Sequence, residues 1–261
     1  MPHLFIFGLG YSAKRIRAAA EARDWRFTAT GRDAELAFED DLGVRTALGT
    51  ASHVLSSVPP GEEGDPVLAH YGDALGHEWL GYLSSTGVYG DTGGAWVDES
   101  APVGGGRRSA RAEADAAWLG RGARVFRLPG IYGPGRSALE RVAEGRAHRI
   151  DLPGQVFSRI HVDDIAAGVI AGFDGPPGAY NLADDLPASQ NAVVEEACRL
   201  LGVVPPPLQS LDEAGLSPQA RAFYAENRRV ANGKAKRVLG WRPLYPTYRE
   251  GLRAMLERTS P

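Results

Sequence analysis

The run Leu4-Phe5-Ile6-Phe7-Gly8-Leu9-Gly10-Tyr11-Ser12-Ala13 constrains the fold more than any other stretch of the chain. Four consecutive apolar residues read as a strand buried on both faces, the pattern of a parallel sheet covered on both sides. The G-x-G-x-x-A spacing that follows puts glycine where a strand must turn sharply into a helix. It also puts a small residue, Ala13, where that helix packs close to the strand. Gly8 permits the turn, and Gly10 lets another molecule approach the backbone. The free N–H groups and the positive end of the helix dipole then converge on one point, which suits a phosphate. Strand, loop and helix in this order make the pyrophosphate of a dinucleotide the expected ligand of Gly8, Leu9, Gly10, Tyr11 and Ser12.

The rest of the first half repeats the alternation. Short apolar runs bounded by Gly, Pro, Ser or Asp predict strands at 3–8, 26–30, 53–58, 79–84 and 124–128, with a weak one near 36–38. Helical periodicity is expected at 12–23 and 110–119. Such a sequence predicts an α/β fold of Rossmann type, a doubly wound parallel sheet, with a small C-terminal substrate lobe. After Gly133 the elements shorten and Pro-Gly pairs punctuate them. A helix is expected after Asp163-Asp164, either of which can cap it. A strand at 179–182 and helices at 190–201, 234–239 and 248–257 follow. Residues 1–133 are thus expected to form the dinucleotide-binding core. Residues 134–261 supply the remaining strands and the lobe, the two parts interleaved in one compact unit.

The end of the second strand bears on which dinucleotide is held. An NAD site usually carries an acid there, roughly 20 residues after the loop, for the ribose 2′-hydroxyl. Here the segment is Thr28-Ala29-Thr30-Gly31-Arg32-Asp33, with Gly31 in the acid's place and Arg32 after it. A guanidinium pairs with a 2′-phosphate through two parallel hydrogen bonds, whereas a carboxylate repels it. NADP(H) is favoured over NAD(H), although Asp33 keeps NAD(H) open.

Composition narrows the function class. The 261 residues carry a net charge of −3, with no basic footprint for nucleic acid. No apolar run is long enough for a membrane span, and the amino terminus reads as a strand rather than a signal peptide. A single cysteine, Cys198, excludes an intrachain disulfide and any multi-cysteine metal site. His161, Asp163 and Asp164 are read as a helix start, so no metal is expected. The compartment expected is the cytoplasm, and the expected partner is a small-molecule substrate or ligand.

Further along, the motif order resembles the extended short-chain dehydrogenase/reductase family, the NAD-dependent epimerase/dehydratase group. Ser84-Ser85-Thr86-Gly87-Val88-Tyr89-Gly90 is similar to its active-site serine motif, with Ser85 at the family's Ser/Thr position. Arg127 to Gly135 is similar to the segment beside nicotinamide and substrate, Arg159 to Ile165 to its downstream segment, and Lys234 to Trp241 to its carboxyl-terminal signature. The resemblance covers nearly the whole chain. It implies a substrate hydrogen bond from Ser85, whose alternative is a strand-end hydroxyl satisfied by backbone. It assigns Ser57, Val58, Pro59, Arg111 and Pro129 to the cofactor, and Arg107, Thr86 and Arg136 to the substrate. It also brings in the family's common homodimer.

One departure is decisive for chemistry. The family uses Tyr-x-x-x-Lys, tyrosine as acid/base and lysine to lower its pKa. The corresponding helix here begins Arg107-Arg108-Ser109-Ala110-Arg111, with Arg107 and Arg111 at those places and no tyrosine between Tyr89 and Tyr132. Arginine stays protonated and cannot replace the tyrosine. The chain therefore resembles an atypical subgroup without the pair. Tyr89 and Tyr132 stand as candidate displaced proton donors, against the reading that both pack. Arg107 and Arg111, one helical turn apart, stand as an anion site, against a solvated face. Two functions remain open. One is an NADP(H)-binding epimerase/dehydratase-like protein or oxidoreductase acting on a polar small molecule, a sugar nucleotide among the candidates. The other is a catalytically silent dinucleotide-binding sensor or regulator.

Overall fold

The computed structural model describes residues 1–105 and 109–259. Its first half runs β1 His3–Phe7, α1 Tyr11–Glu21, β2 Arg26–Thr30, α2 Asp41–Leu48, β3 His53–Ser56, α3 Pro66–Tyr71, β4 Trp79–Ser85, β5 Trp96–Val97, α4 Ser109–Gly120 and β6 Arg124–Leu128. There follow β7 Gly130–Tyr132, α5 Ala138–Ala143, β8 Arg149–Ile150, β9 Arg159–His161, α6 Val162–Ala171, β10 Gly178–Asn181 and α7 Gln190–Leu201. The last elements are β11 Leu208–Gln209, α8 Pro218–Phe223, β12 Arg229–Val230, α9 Gly233–Val238 and α10 Tyr248–Thr259.

Six strands form one parallel sheet in the order β10-β6-β4-β3-β1-β2. All five residues of β1 are buried because helices cover both faces. Leu4 and Ile6 belong to a core with Ile16 of α1 and Ile165 and Val169 of α6. Phe5 and Phe7 belong to another, with Val44 and Leu48 of α2, Tyr71 of α3 and Trp118 of α4. This is the doubly wound α/β arrangement expected. The edge strand β10 comes from the second half of the chain and pairs with β6 in the register Ala179↔Val125 and Tyr180↔Phe126. A smaller cluster builds the lobe: Tyr132, Leu139 of α5, Val193 of α7 and Leu252 of α10. Its base is the parallel pair β7–β9, with Ile131 opposite Ile160 and Tyr132 opposite His161.

Two expectations are corrected. The weak strand at 36–38 is reduced to a single bridge, Thr30↔Leu36, because the chain turns at once into α2, which Asp40 caps through the backbone N–H of Gly43. The cap of α6 is neither Asp163 nor Asp164 but His161, whose Nδ1 accepts from the backbone N–H of Asp163 at 3.2 Å. His161 ends β9 in extended backbone, so its ring reaches the free donors first. Both aspartates are committed elsewhere. Asp163 pairs with Arg15 of α1 at 2.6 Å, and Asp164 accepts from the backbone N–H groups of Leu244 and Tyr245.

Candidate active site

The strand order reverses at β1, with β2 on one side and β3 on the other, and ligands of such sheets bind where the strand ends part at that point. Gly8 and Gly10 sit there for different reasons. Gly8 has φ +85°, and a Cβ on it would lie 3.0 Å from Val58 Cγ2 and 3.1 Å from Ser57 Oγ. Gly10 has nothing within 4 Å of where its Cβ would be. The first glycine is required by what it touches, the second by what it leaves open. Gly10 is also the N-cap of α1 and gives no side-chain cap, so the donors of the first helical turn face outward. The Leu9 N–H donates to the carbonyl of Thr30 at 2.9 Å, and Gly31 packs on Leu9, which pins the loop to the end of β2.

A cleft of about 1130 Å³ opens in front of this loop. Gly10, Tyr11, Ser12, Ser57, Pro59, Ser85, Thr86, Arg111, Pro129, Tyr132 and Arg136 all line it. The fold therefore brings together most of the residues chosen from the sequence. Gly8, Leu9, Gly31 and Val58 form the support beneath. Arg32 is exposed just beyond β2, and the neighbouring Asp33 faces Lys14 at 3.7 Å. Arg107 lies outside the described residues. Among the described residues, no group of three His, Cys, Asp or Glu side chains is placed to hold a metal ion.

The candidate catalytic side chains differ sharply. Ser85 ends β4, lines the cleft and accepts from the Gly87 N–H at 3.1 Å. Its lone pair is thus used by backbone, while its O–H remains able to donate into the cleft. Tyr89 is turned away. It is buried, donates to Asn181 Oδ1 at 2.8 Å and accepts from Arg127 Nη1 at 3.0 Å, and burial raises its pKa. It does not line the cleft, and the geometry gives it no access to a substrate. Tyr132 does line it, but its hydroxyl sits in the space left by Gly251, where a Cβ would lie 2.2 Å away. That hydroxyl is buried without a hydrogen-bond partner among the described residues, and burial pushes its pKa well above the ordinary tyrosine value. A phenol so placed packs against α10.

Sequence reasoning missed the far wall of the cleft. Arg141, His148, Phe157, Arg159, Tyr224 and Arg228 line it. Arg159 carries a visible signal, a charged residue in an otherwise apolar β-strand pattern before His161, but the helix start that follows dominates the reading of that segment. The platform under the site was also missed. Asp115 of α4 takes two hydrogen bonds from Arg127 of β6, at 3.0 and 2.7 Å, and one from Ser84 at 2.6 Å.

Against known proteins, no family model matches the chain. A solved structure of a conserved protein of unknown function from Silicibacter pomeroyi DSS is 39% identical, covers all of both chains and superposes with a TM-score of 0.89. The two proteins belong to one family. Beyond that pair, what the chain shares with solved structures is its Rossmann-type fold. That fold is shared by the human epimerase family protein SDR39U1 with NADPH (14% identity, 97% and 99% of the chains, TM-score 0.73). It is shared as well by the Thermus thermophilus UDP-glucose 4-epimerase complex with NAD (18%, 99% and 100%, TM-score 0.72). Two curated proteins are similar in sequence. A 3-diazoavenalumate denitrifying reductase from Streptomyces sp is 30% identical over 140 residues, 49% of this chain and 45% of that protein. Protein YeeZ of Escherichia coli K12 is 26% identical over 256 residues, 82% of this chain and 89% of that protein.

Proposed function

We propose that the chain is an NADP(H)-binding oxidoreductase of epimerase/dehydratase-like fold, acting on a small polar molecule without the family's tyrosine–lysine pair. The observation that carries this reading is a single cleft that joins two features. On one side is the uncapped start of α1, with Gly10 open beside it; on the other are Ser85, Thr86 and Pro129. The open glycine and the outward N–H groups fit a pyrophosphate, and Arg32 beyond β2, with Lys14 of α1 set against Asp33, gives a 2′-phosphate cationic neighbours. A bound nicotinamide dinucleotide supplies hydride transfer, and the chain supplies binding, orientation and the Ser85 hydroxyl. The similarity to a reductase supports the oxidoreductase side of the proposal, and solved structures with this fold hold either NADPH or NAD. Without a lowered-pKa tyrosine, the substrates that fit best are hydride acceptors whose reduction does not wait on a phenol's proton.

Thermal denaturation with each cofactor tests the binding. NADPH raises the melting temperature more than NADH, and Arg32→Ala removes the difference; equal shifts in the wild type refute the NADP(H) assignment. Turnover is tested by loss of reduced-nicotinamide absorbance over a panel of carbonyl compounds and other hydride acceptors. Tight cofactor binding with no turnover on any of them would favour the silent sensor instead, a reading supported by Arg111 standing where the family has lysine.

A further inference from the structure

The far wall of the cleft holds a buried positive charge whose hydrogen-bond acceptors are all neutral. Arg159 is 7% exposed, yet it lines the cleft beside Gly130, whose Cβ would touch its side chain. Its Nη1 donates to the carbonyls of Phe157 and Ala188, both at 2.8 Å, and its Nη2 to Gln190 Oε1 at 3.1 Å. All three acceptors are neutral, so two of the five guanidinium N–H donors have no protein acceptor among the described residues. Among the same residues, no carboxylate lies within salt-bridge distance. The acid that bears on it most is Asp184, itself buried, beyond salt-bridge distance and with Oδ2 unpartnered among the described residues; burial pushes its pKa up to about 8. Burial likewise lowers the Arg159 pKa to about 10, which still leaves the guanidinium charged. A desolvated charge of this kind calls for a counter-ion.

The surroundings describe the rest of the ligand. Phe157 and Tyr224 meet edge to face with centroids 5.5 Å apart, and Phe223 beside them is 62% exposed. The one acid on this wall among the described residues, Glu226, is held by Arg228 at 2.7 Å. Arg141, at the mouth, has no carboxylate partner among the described residues.

We propose that the substrate half of the cleft takes an apolar, flat-bodied monocarboxylate, its carboxylate on Arg159 and its body against Phe157, Tyr224 and Phe223. A single negative charge balances the single buried positive one, and the exposed ring of Phe223 is the surface the body covers. This inference deepens the oxidoreductase reading and rests on the same cleft.

The test is calorimetric titration of the full chain with benzoate, its neutral isostere benzamide and phenyl phosphate, each with and without NADP⁺. Benzoate binds at one site, and benzamide binds at least about tenfold more weakly, because the carboxylate alone compensates the buried charge. Arg159→Gln weakens benzoate about thirtyfold or more, Arg159→Lys recovers part of it, and Phe223→Ala, an exposed position without folding risk, weakens it severalfold. Equal affinity for benzoate and benzamide in the wild type overturns the proposal and needs no variant. So does unchanged benzoate binding in a folded Arg159→Gln protein, or the absence of benzoate binding. Tighter binding of phenyl phosphate than of benzoate overturns the carboxylate assignment in favour of a phosphate. NADPH binding is read separately from nicotinamide fluorescence. Its failure with benzoate binding intact refutes only the dinucleotide reading, and the reverse refutes only the carboxylate site.

Discussion

Two arginines on sheet strands, Arg127 under the serine loop and Arg159 in the lobe, are both almost fully buried and have opposite electrostatic fates. Burial alone would lower the pKa of each. For Arg127, the hydrogen bonds and charge of Asp115 reverse that effect and raise it. For Arg159, none of its hydrogen-bond partners carries a charge, and the pKa falls to about 10. The protein has completed one ion pair and left the other half-built. The completed pair ties α4 to β6 and, through Tyr89 and Asn181, to β10, so it stabilises the frame. The half-built one faces the cleft, where a ligand can finish it. A buried charge is structural or functional according to whether its partner is part of the chain.

The contrast is open to direct attack. Arg127→Leu should cost about 3–5 kcal/mol, because Asp115 is left as a buried carboxylate that has lost both hydrogen bonds from its guanidinium partner. Calorimetry should then show a melting temperature lower by on the order of 10 °C. A loss as small as that of a surface arginine would break the distinction. The next effect is one of pH. Folding raises the Asp184 pKa from the ordinary carboxylate value to about 8, so the folded state holds a proton that the unfolded chain has released. Its contribution is fully present below the unfolded pKa and is lost as pH rises through about 8. His53 and His161, pushed down to about 4 by burial, act in the opposite direction, but only below the ordinary histidine value of 6.5. Asp164, raised to about 7, is largely spent by neutrality. Between about pH 7 and about pH 9 the wild-type melting temperature should therefore decline, and Asp184→Asn should flatten a fall on the order of 5 °C.

Arg159→Gln should move stability by less than about 1 kcal/mol. The carbonyls of Phe157 and Ala188 keep their reciprocal backbone hydrogen bonds, at 3.0 and 3.1 Å, and the Gln190 side chain, which loses its donor, is only half-buried. A denaturant midpoint displaced as far as that of Arg127→Leu would make Arg159 a frame residue after all. Arg32→Ala is the smallest change. Melting of the free protein should stay within about 0.5 kcal/mol of wild type, while the advantage of NADPH over NADH disappears.

What could be read in advance divides along similar lines. The sheet was legible because β1, β3, β4 and β6 must be apolar on both faces, and the glycine turn because Gly8 and Gly10 have no chemical substitutes there. The role of each tyrosine was not legible. Tyr89 and Tyr132 occupy equivalent-looking Tyr-Gly dipeptides, yet one is locked by Arg127 and Asn181 and the other fills the gap at Gly251, contacts that join residues far apart in the chain. The His161 cap was missed because two aspartates in a row are the stronger local signal, and only the distant Leu244, Tyr245 and Arg15 reveal that both are occupied. Arg159 looks ordinary for the same reason in reverse: a missing partner leaves no trace in sequence.

The late arrival of β10 has a consequence for how the protein can be made. Until residues 178–181 emerge from the ribosome, β6 is an exposed sheet edge, with Val125 and Phe126 beside unpaired backbone donors and acceptors. Residues 1–133 on their own would therefore leave that edge of the sheet open. A nascent chain halted there would offer other chains a template, and biosynthesis has to thread the whole first part of the lobe before that edge is sealed.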